Sequence, residues 1–221
     1  MPRASRSTNQ KDRSAAVATV PAVADDYPLT PRTSLRRLPA RASYDRDVVH
    51  AILDEGLVAH LGMSTEIGPR VIPTTYGRIE DTVYVHGSVA NHAFRTAATG
   101  IEVCLVVTLL DGLVMARSAF HHSMNYRSVV VYGTATTVTD PSEKRAALDV
   151  IVNKSVPGRA DEARPPTELE LRSTLVLALP LVEVSAKIRT GGPIDDEADL
   201  DWPVWAGVIP LHLQAGEPIA G

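Results

Sequence analysis

The sequence predicts a mainly β protein, an antiparallel β-barrel with flanking helices. Six or seven segments are rich in apolar and β-branched residues, and turns or short helices join them without a regular strand and helix alternation. Of the 221 residues, 44% are hydrophobic, which is enough to bury the core of one domain. No run approaches the roughly 18 apolar residues of a membrane-spanning helix. We therefore expect a soluble, cytoplasmic protein.

Local patterns place the individual elements. Ser43 is the predicted N-cap of a first helix, Asn91 caps a second, and Asp140-Pro141 begins a third. Asp111-Gly112 is a hairpin signal between two apolar strands. The predicted strands are 57–63, 70–79, 82–88, 102–110, 113–120, 129–138 and 181–188, and the predicted helices are 45–55, 91–98, 140–152 and 167–176.

Charge divides the chain into a basic beginning and an acidic remainder. Residues 1–43 hold eight Lys and Arg against three Asp and Glu, a balance of +5 in a chain of net charge −4. The same part is rich in proline, serine and alanine, so residues 1–42 are predicted to form a disordered tail. The folded domain is predicted at 43–213, followed by a flexible C-terminus at 214–221.

One stretch near the start offers an alternative location. Ala15–Ala24 follows basic residues and ends in an Ala-x-Ala pattern that resembles a signal-peptide cleavage site. Its apolar part is mostly alanine, and Thr19 and Pro21 interrupt it. The cytoplasm therefore remains the favoured location, with export as the alternative.

Cysteine and histidine usage argues against a metal site. Cys104 is the single cysteine, so one chain has no disulfide framework and no cysteine-based zinc cluster, and its apolar neighbours indicate a buried structural thiol. His86 and His92 match no zinc signature, while the adjacent His121 and His122 would point to opposite faces of a strand. We predict no metal. A glycine-rich phosphate loop is also absent from the sequence.

Three polar clusters stand at the ends of predicted strands, at 70–75, 86–92 and 121–128. Because the strand ends of a small barrel converge on its rims, these clusters can line one site. Arg127 suits bidentate binding of a phosphate, and Ser88 and Ser128 supply hydroxyl groups. The pattern favours an anionic, phosphorylated ligand; the alternative is that the polar groups satisfy their own turns.

Four of these segments, "RVIPTTYG", "VYVHGSVANH", "SMNYRSVVVYGTA" and "WAGVIPL", resemble the FMN-binding split-barrel superfamily. The resemblance is to the pyridoxamine 5′-phosphate oxidase-like branch related to nitroimidazole-resistance proteins, and it covers Ser43 to Leu213. It implies a homodimer of six-stranded antiparallel split barrels, with FMN bound in clefts at the subunit interface.

The resemblance also implies which residues contact the cofactor, while no catalytic residue is assigned. Arg70 or Lys187 would place a positive charge near the flavin ring. The implied cofactor-binding residues are Arg70, Pro73, Thr74, Val85, His86, Gly87, Ser88, Asn91, His92, Ser123, Asn125, Arg127, Ser128, Lys187, Arg189 and Trp205.

The function expected from this resemblance is an FMN-dependent oxidoreductase, in which a nicotinamide nucleotide reduces FMN and a nitro compound, quinone or oxygen accepts the electrons. Alternatives are a non-catalytic flavin- or haem-binding storage or sensor protein and a reductase that uses the deazaflavin F420. The tail "DWPVWAGVIPL" lacks the arginines with which true pyridoxamine-phosphate oxidases hold the substrate phosphate. Pyridoxamine phosphate is therefore not the expected substrate, and no nucleic-acid or membrane partner is expected.

Overall fold

The structure, a computed structural model, describes residues 25–221, which form two antiparallel β-sheets and several helices. The helices are α1 (Arg46–Glu55), α2 (His92–Ala97), α3 (Pro141–Ser155), α4 (Arg159–Glu162) and α5 (Glu168–Ser173). The strands are β1 (Ala42–Ser43), β2 (Ala59–Thr65), β3 (Gly68–Thr74), β4 (Tyr76–Ile79), β5 (Thr82–Ser88), β6 (Glu102–Met115), β7 (Ser123–Thr134), β8 (Thr136–Thr137), β9 (Thr174–Pro180), β10 (Glu183–Arg189) and β11 (Gly207–Pro210).

The larger sheet has seven strands in the order β1-β10-β7-β6-β2-β3, with β11 paired to β6, and the smaller sheet has the order β4-β5-β9-β8. The mainly β, antiparallel class with flanking helices is thus confirmed. The predicted count of six or seven strands is wrong, since residues 25–221 contain eleven, and the two sheets do not close there into one barrel. Two-residue strands such as β1 and β8 are too short to leave a periodic pattern in the sequence.

The predicted hairpin at Asp111-Gly112 is also wrong, because the chain runs straight through it as the 14-residue strand β6. The pairing of β6 with β7 shifts between Leu110 and Gly112, which identifies a β-bulge. A Cβ atom on Gly112 would lie 3.0 Å from Val208 Cγ1 and 3.1 Å from the Ile209 carbonyl. Glycine is therefore needed here for the close approach of β11 and not for a turn.

The helix predicted at 167–176 ends at Ser173, and β9 follows it directly. Thr167 and Glu170 form a capping box that begins α5. The next residues, from Val176 to Leu179, are all buried. A strand buried on both faces has no alternation of polar and apolar residues, so its period does not distinguish it from a helix.

The main core lies between the inward faces of the two sheets, with α1 packed against it through Val49, Ile52 and Leu53. A smaller cluster joins α3 to the other face of the small sheet.

α3 has 15 residues, and no helix within residues 25–221 is long and apolar enough to cross a membrane. Predicted caps at Asn91 and Asp140 are confirmed, but Asp45 and not Ser43 caps α1.

The predicted tail overlaps the folded domain. Tyr27 is only 2% exposed, and its hydroxyl donates a hydrogen bond to Asp81 Oδ1 at 2.7 Å. Arg46 lies over the Tyr27 ring at 4.3 Å and pairs with the same carboxylate. The folded part therefore begins before Ser43, because one aromatic anchor holds an otherwise polar segment. The remainder of the predicted tail, residues 1–24, lies outside the described residues.

Candidate functional site

A cavity of about 400 Å³ lies between α2 and the turn that joins β2 to β3. Arg95 and His92 are three residues apart on α2, so both side chains reach the same side of the helix. The lining residues are Ser64, Thr65, Glu66, Ile67, His92, Arg95, Thr96, Thr99 and Ile101. The cavity thus combines one guanidinium, one imidazole and several hydroxyl groups with a single carboxylate.

The donors of this cavity that remain available define its chemistry. The hydroxyls of Thr96 and Thr99 donate to the backbone carbonyls of His92 and Thr96, at 2.9 and 2.8 Å. Arg95 has no ion pair among residues 25–221. His92 Nδ1 lies 3.4 Å from Thr96 Oγ1, so only Nε2 of that ring is left for a ligand. The other available donors are the Arg95 guanidinium and the Ser64 hydroxyl, and a guanidinium suits a phosphate. Sequence reasoning found His92 but missed Arg95, although their helical spacing was a usable signal.

Three other predicted site residues neighbour the elements that form this cavity but do not line it. Arg70 is exposed on β3 next to Pro69, which pairs with Ser64. Ser88 is exposed at the end of β5, and its Oγ accepts a hydrogen bond from the Ala90 N–H at 3.2 Å. Asn91 Oδ1 accepts from the Ala93 and Phe94 N–H groups at 3.0 and 3.4 Å, which uses this side chain as the cap of α2.

Gly87 positions α2 against the small sheet. A Cβ atom on Gly87 would lie 2.7 to 3.0 Å from three atoms of the Phe94 ring. Phe94 is 4% exposed and belongs to the main core. The structure therefore gives Gly87 a packing role, because its missing side chain lets Phe94 hold α2 close to β5.

Two neighbours of Gly87 on β5 differ in their surroundings. Val85 is 2% exposed and lies in the main core, so its side chain is not available to a cofactor, against the prediction. His86 Nδ1 is enclosed without a hydrogen-bond partner among residues 25–221, and burial lowers the pKa of this imidazole. An enclosed polar atom without a partner is uncommon, so His86 stays a candidate contact.

Arg127 does not have the role predicted for it. Its Nε and Nη2 donate to the two carboxylate oxygens of Asp111 at 3.0 and 2.7 Å, and its Nη1 and Nη2 donate to the carboxylate of Glu55. Four of its five N–H groups are thus bound to carboxylates. The guanidinium joins the end of α1 to β6, and no fork of donors remains for a phosphate.

We expect Arg127→Ala to lower the free energy of unfolding by about 1–2 kcal/mol, because two carboxylates lose their shared partner. Flavin affinity should change less than twofold. The Arg127 hydrogen bonds hold the pKa of Glu55 and that of Asp111 below their ordinary values. The hydrogen bonds between Arg127 and these two carboxylates therefore stabilise the fold fully above a pH of about 4. This stabilisation is lost as the pH falls through the lowered pKa values of Glu55 and Asp111 in the folded state.

Urea unfolding of wild type and Arg127→Ala between pH 7 and pH 3 measures this effect. The difference in their free energies of unfolding should become smaller as the pH falls. Arg159→Ala is the matched control, since Arg159 pairs only with Glu162 on the exposed α4, and we expect a change below about 0.5 kcal/mol. A tenfold loss of flavin affinity at unchanged stability would restore the phosphate-binding role of Arg127.

The remaining predicted residues of β7 and β10 form a second group. Asn125 and Arg189 are both buried, and Asn125 Oδ1 accepts a hydrogen bond from Arg189 Nη1. Ser128 lies opposite Lys187, and its hydroxyl donates to the Lys187 carbonyl at 3.3 Å. Ser123, at the start of β7, is half-buried.

Pro73 and Thr74 lie on β3, far from that second group. Three strand spacings separate β3 from β7 through β2 and β6, a distance of about 14 Å. Pro73 is exposed, and Thr74 is half-buried with its hydroxyl donating to the Thr75 carbonyl at 3.0 Å. Trp205, just before β11, is 60% exposed. One chain therefore does not bring all the predicted residues to one place.

The fold and this site define a class: a mainly β protein of the split-barrel type with a polar cavity beside a short helix. A family model described as pyridoxamine 5′-phosphate oxidase matches residues 45–188. The chain belongs to this family, which confirms the resemblance seen in the sequence. No curated protein matches the chain.

Three solved structures show what the chain is similar to. The flavocytochrome Anf3 from Azotobacter vinelandii is 41% identical with a TM-score of 0.82, over 87% of this chain and 89% of that one. The FAD and heme binding protein from Mycobacterium smegmatis is 36% identical with a TM-score of 0.78, over 82% and 89%. A Bacteroides thetaiotaomicron protein assigned to 5-nitroimidazole antibiotic resistance, at 22% identity and a TM-score of 0.57 over 66% and 86%, shares the fold.

Proposed function

We propose that this protein is a flavin-binding oxidoreductase that passes electrons from a nicotinamide nucleotide to a small acceptor such as a nitro compound, a quinone or oxygen. The observation that carries the proposal is the cavity beside α2, in a chain of this family whose relatives include a flavocytochrome and an FAD and haem binding protein. A bound flavin supplies the two-electron chemistry, so the protein needs only to bind and orient it.

The residues of the cavity fit the phosphate of a flavin. Arg95 offers a guanidinium fork, and His92 and Ser64 offer further donors on the same cavity. Ser88 and Asn91, at the entrance to α2, would lie beside the same group. Glu66 is the only carboxylate in the lining and formally balances Arg95, so the attraction for an anion would come from the donors directed at it and not from a net positive charge.

A homodimer is part of this proposal, because apolar side chains from several strands lie on the outward face of the larger sheet. Val71, Val106, Leu110 and Val130 alternate with buried core residues and point away from the core. Val71 is 66% and Leu110 51% exposed. An antiparallel sheet with one free face usually has polar residues there, and exposed apolar patches of this kind mark interfaces.

A dimer built on this face also explains the two separated groups of predicted residues. Pro73 on β3 and Lys187 on β10 both point to the outward face of the larger sheet. They lie near its opposite edges, because β3 is at one end of the strand order and β10 is next to the other end. A second copy packed across the face would bring β3 of one protomer towards β10 of its partner. The flavin would then lie between the two subunits.

FMN is the flavin expected from the sequence, and the two relatives named above favour FAD and haem as further candidates. A haem iron commonly takes histidine as an axial ligand. His60 lies opposite Val106 on the outward face and is exposed, so a histidine is available at the proposed interface. A flavocytochrome is therefore the second candidate function.

The visible spectrum of the purified protein tests the proposal. We expect flavin bands that bleach on addition of NADPH or NADH under nitrogen, and release by acid with mass spectrometry would distinguish FMN from FAD and F420. A Soret band in addition would identify the flavocytochrome. A colourless protein that gains no thermal stability from FMN, FAD, F420 or haem would contradict the proposal.

A further inference from the structure

His121, Asp196 and Asp199 form a cluster of metal-ligating side chains that the proposed function does not use. One ligand atom of each residue lies within 4.8 Å of those of the other two. His121 Nε2 and Asp196 Oδ2 are 3.1 Å apart. The Asp199 carboxylate has no hydrogen-bond or ion-pair partner within residues 25–221. An imidazole nitrogen together with two carboxylate oxygens is a donor set that binds zinc and other first-row divalent cations.

Two short 3-10 helices bring these ligands together from distant parts of the chain. His121 is the last residue of the helix Ala119–His121, which precedes β7, and Asp196 precedes the helix Glu197–Asp199. Residues three apart in a 3-10 turn lie on the same side, so Asp196 and Asp199 face the same way. Because 75 positions separate His121 from Asp196, local ligand spacing does not reveal this set, and the sequence predicted no metal.

Arg117 and Asp195 hold the two segments together beside the cluster. The carboxylate of Asp195 accepts hydrogen bonds from the backbone N–H and from Nη1 of Arg117, at 2.7 and 2.8 Å. The Asp195 side chain is only 3% exposed. This contact involves the residue next to Asp196 and a residue four positions before His121. The ligands are therefore held close to one another before a cation binds, which reduces the entropy cost of binding.

Charge and geometry both favour a cation at this place. Residues 195–201 hold five acidic side chains and no basic one, and only Asp195 pairs with an arginine within the described residues. Two ligands of a tetrahedral zinc ion lie about 3.3 Å apart, a spacing that His121 and Asp196 already have. Rotation of the carboxylates brings Asp199 into range, and the exposed side leaves a position for water.

We propose that His121, Asp196 and Asp199 bind a divalent first-row cation, with zinc as the expected ion. The cation would hold residues 195–202 against the start of β7. This inference goes beyond the proposed function, which needs no such ion, and none of the three ligands lines the cavity beside α2. The role assigned to the cation is structural.

The test uses untagged full-length protein freed of metal by dialysis against a chelator, with zinc binding measured by calorimetric titration. We expect one zinc ion per chain and a Tm that rises with zinc concentration. Asp199→Asn keeps the shape of the side chain but removes a charged ligand, so zinc affinity should fall at least tenfold. His121→Ala should cause a loss at least as large. If His121→Ala folds poorly, Asp199→Asn decides alone.

Matched controls come from the same two segments. Asp201→Asn removes another exposed carboxylate of the acidic segment, and His122→Ala removes the neighbouring exposed histidine. Both variants should bind zinc within twofold of wild type. Magnesium, which prefers sites made of oxygen ligands, should not displace zinc at equal concentration. Absence of saturable zinc binding to wild type, or equal affinities for Asp199→Asn and Asp201→Asn, would overturn the site.

Tryptophan fluorescence tests the structural role. Trp202 and Trp205 are the two tryptophans of the chain, and the Trp202 N–H donates to the Asp199 carbonyl at 3.0 Å. Zinc should therefore change the emission of wild type and of His122→Ala, and should leave that of His121→Ala unchanged. An unchanged emission of wild type at saturating zinc would contradict the structural role.

None of these measurements needs a bound flavin. If the protein binds no flavin, the proposed function fails while the zinc titration still decides the metal site. If flavin binds but zinc does not, the metal site alone fails.

Discussion

Arg95→Glu should weaken flavin binding about 100-fold, which corresponds to about 2.8 kcal/mol. The substitution removes the only guanidinium of the cavity beside α2 and places a second carboxylate there with Glu66. Both changes repel a phosphate, and hydrogen bonds from a charged donor are the stronger class. Stability should change little, because Arg95 is exposed and has no ion pair within residues 25–221.

Fluorescence titration of flavin-free protein with FMN and FAD measures this loss. Arg172→Glu is the matched control, since Arg172 is an exposed arginine without an ion pair that lies on α5, outside the cavity. Its flavin affinity should stay within twofold of wild type. Arg95→Lys keeps the charge but loses the guanidinium fork, so it should retain only part of the affinity. Equal affinities for Arg95→Glu and Arg172→Glu would show that the phosphate binds elsewhere.

Gly87→Ala should lower the free energy of unfolding by about 2 kcal/mol and also weaken flavin binding. The new methyl group would lie 2.7 Å from Phe94 Cδ2 and 2.9 Å from Phe94 Cγ, well inside contact distance. Cγ is close to the backbone of α2, so the ring cannot rotate away and the helix must move. That movement displaces His92 and Arg95 together, because both belong to α2.

A double-mutant cycle with Phe94→Leu tests this reason directly. The smaller leucine leaves room for the methyl group, so Gly87→Ala should cost about 1 kcal/mol less in the Phe94→Leu background. Urea unfolding provides the four stabilities, and flavin titration shows whether affinity recovers in parallel. Additive losses would mean that the methyl group does not act through Phe94.

Much of the fold was predictable because its signals are local. Asn91 and Asp140 cap α2 and α3 as their residue types indicated, and the apolar strands lie in the core. One element was predicted wrongly because its local composition is misleading. Asp111-Gly112 has the composition of a turn, yet it lies at a bulge whose glycine is required by β11, a strand almost 100 positions later.

The candidate site was predictable only in part, since residue type shows a charge but not its partner. Arg127 looked like a phosphate ligand, but the fold brings Glu55, 72 positions away, and Asp111 within hydrogen-bond distance of it. Arg95 was not among the predicted site residues, yet it lines a cavity together with Ser64. Which carboxylate pairs with an arginine depends on their distance in the folded protein, and the sequence does not give that distance.

The β-rich class, the family and the segments that carry the polar residues could be read from the sequence alone, because these depend on local patterns and motifs. Which cations are neutralised by a nearby carboxylate depends on contacts between residues that are distant in the chain. Arg127 is held by two carboxylates, while Arg189, bonded to Asn125 from 64 positions away, is buried with neutral partners. The order of strands in a sheet sets these long-range contacts, and local residue patterns do not specify that order.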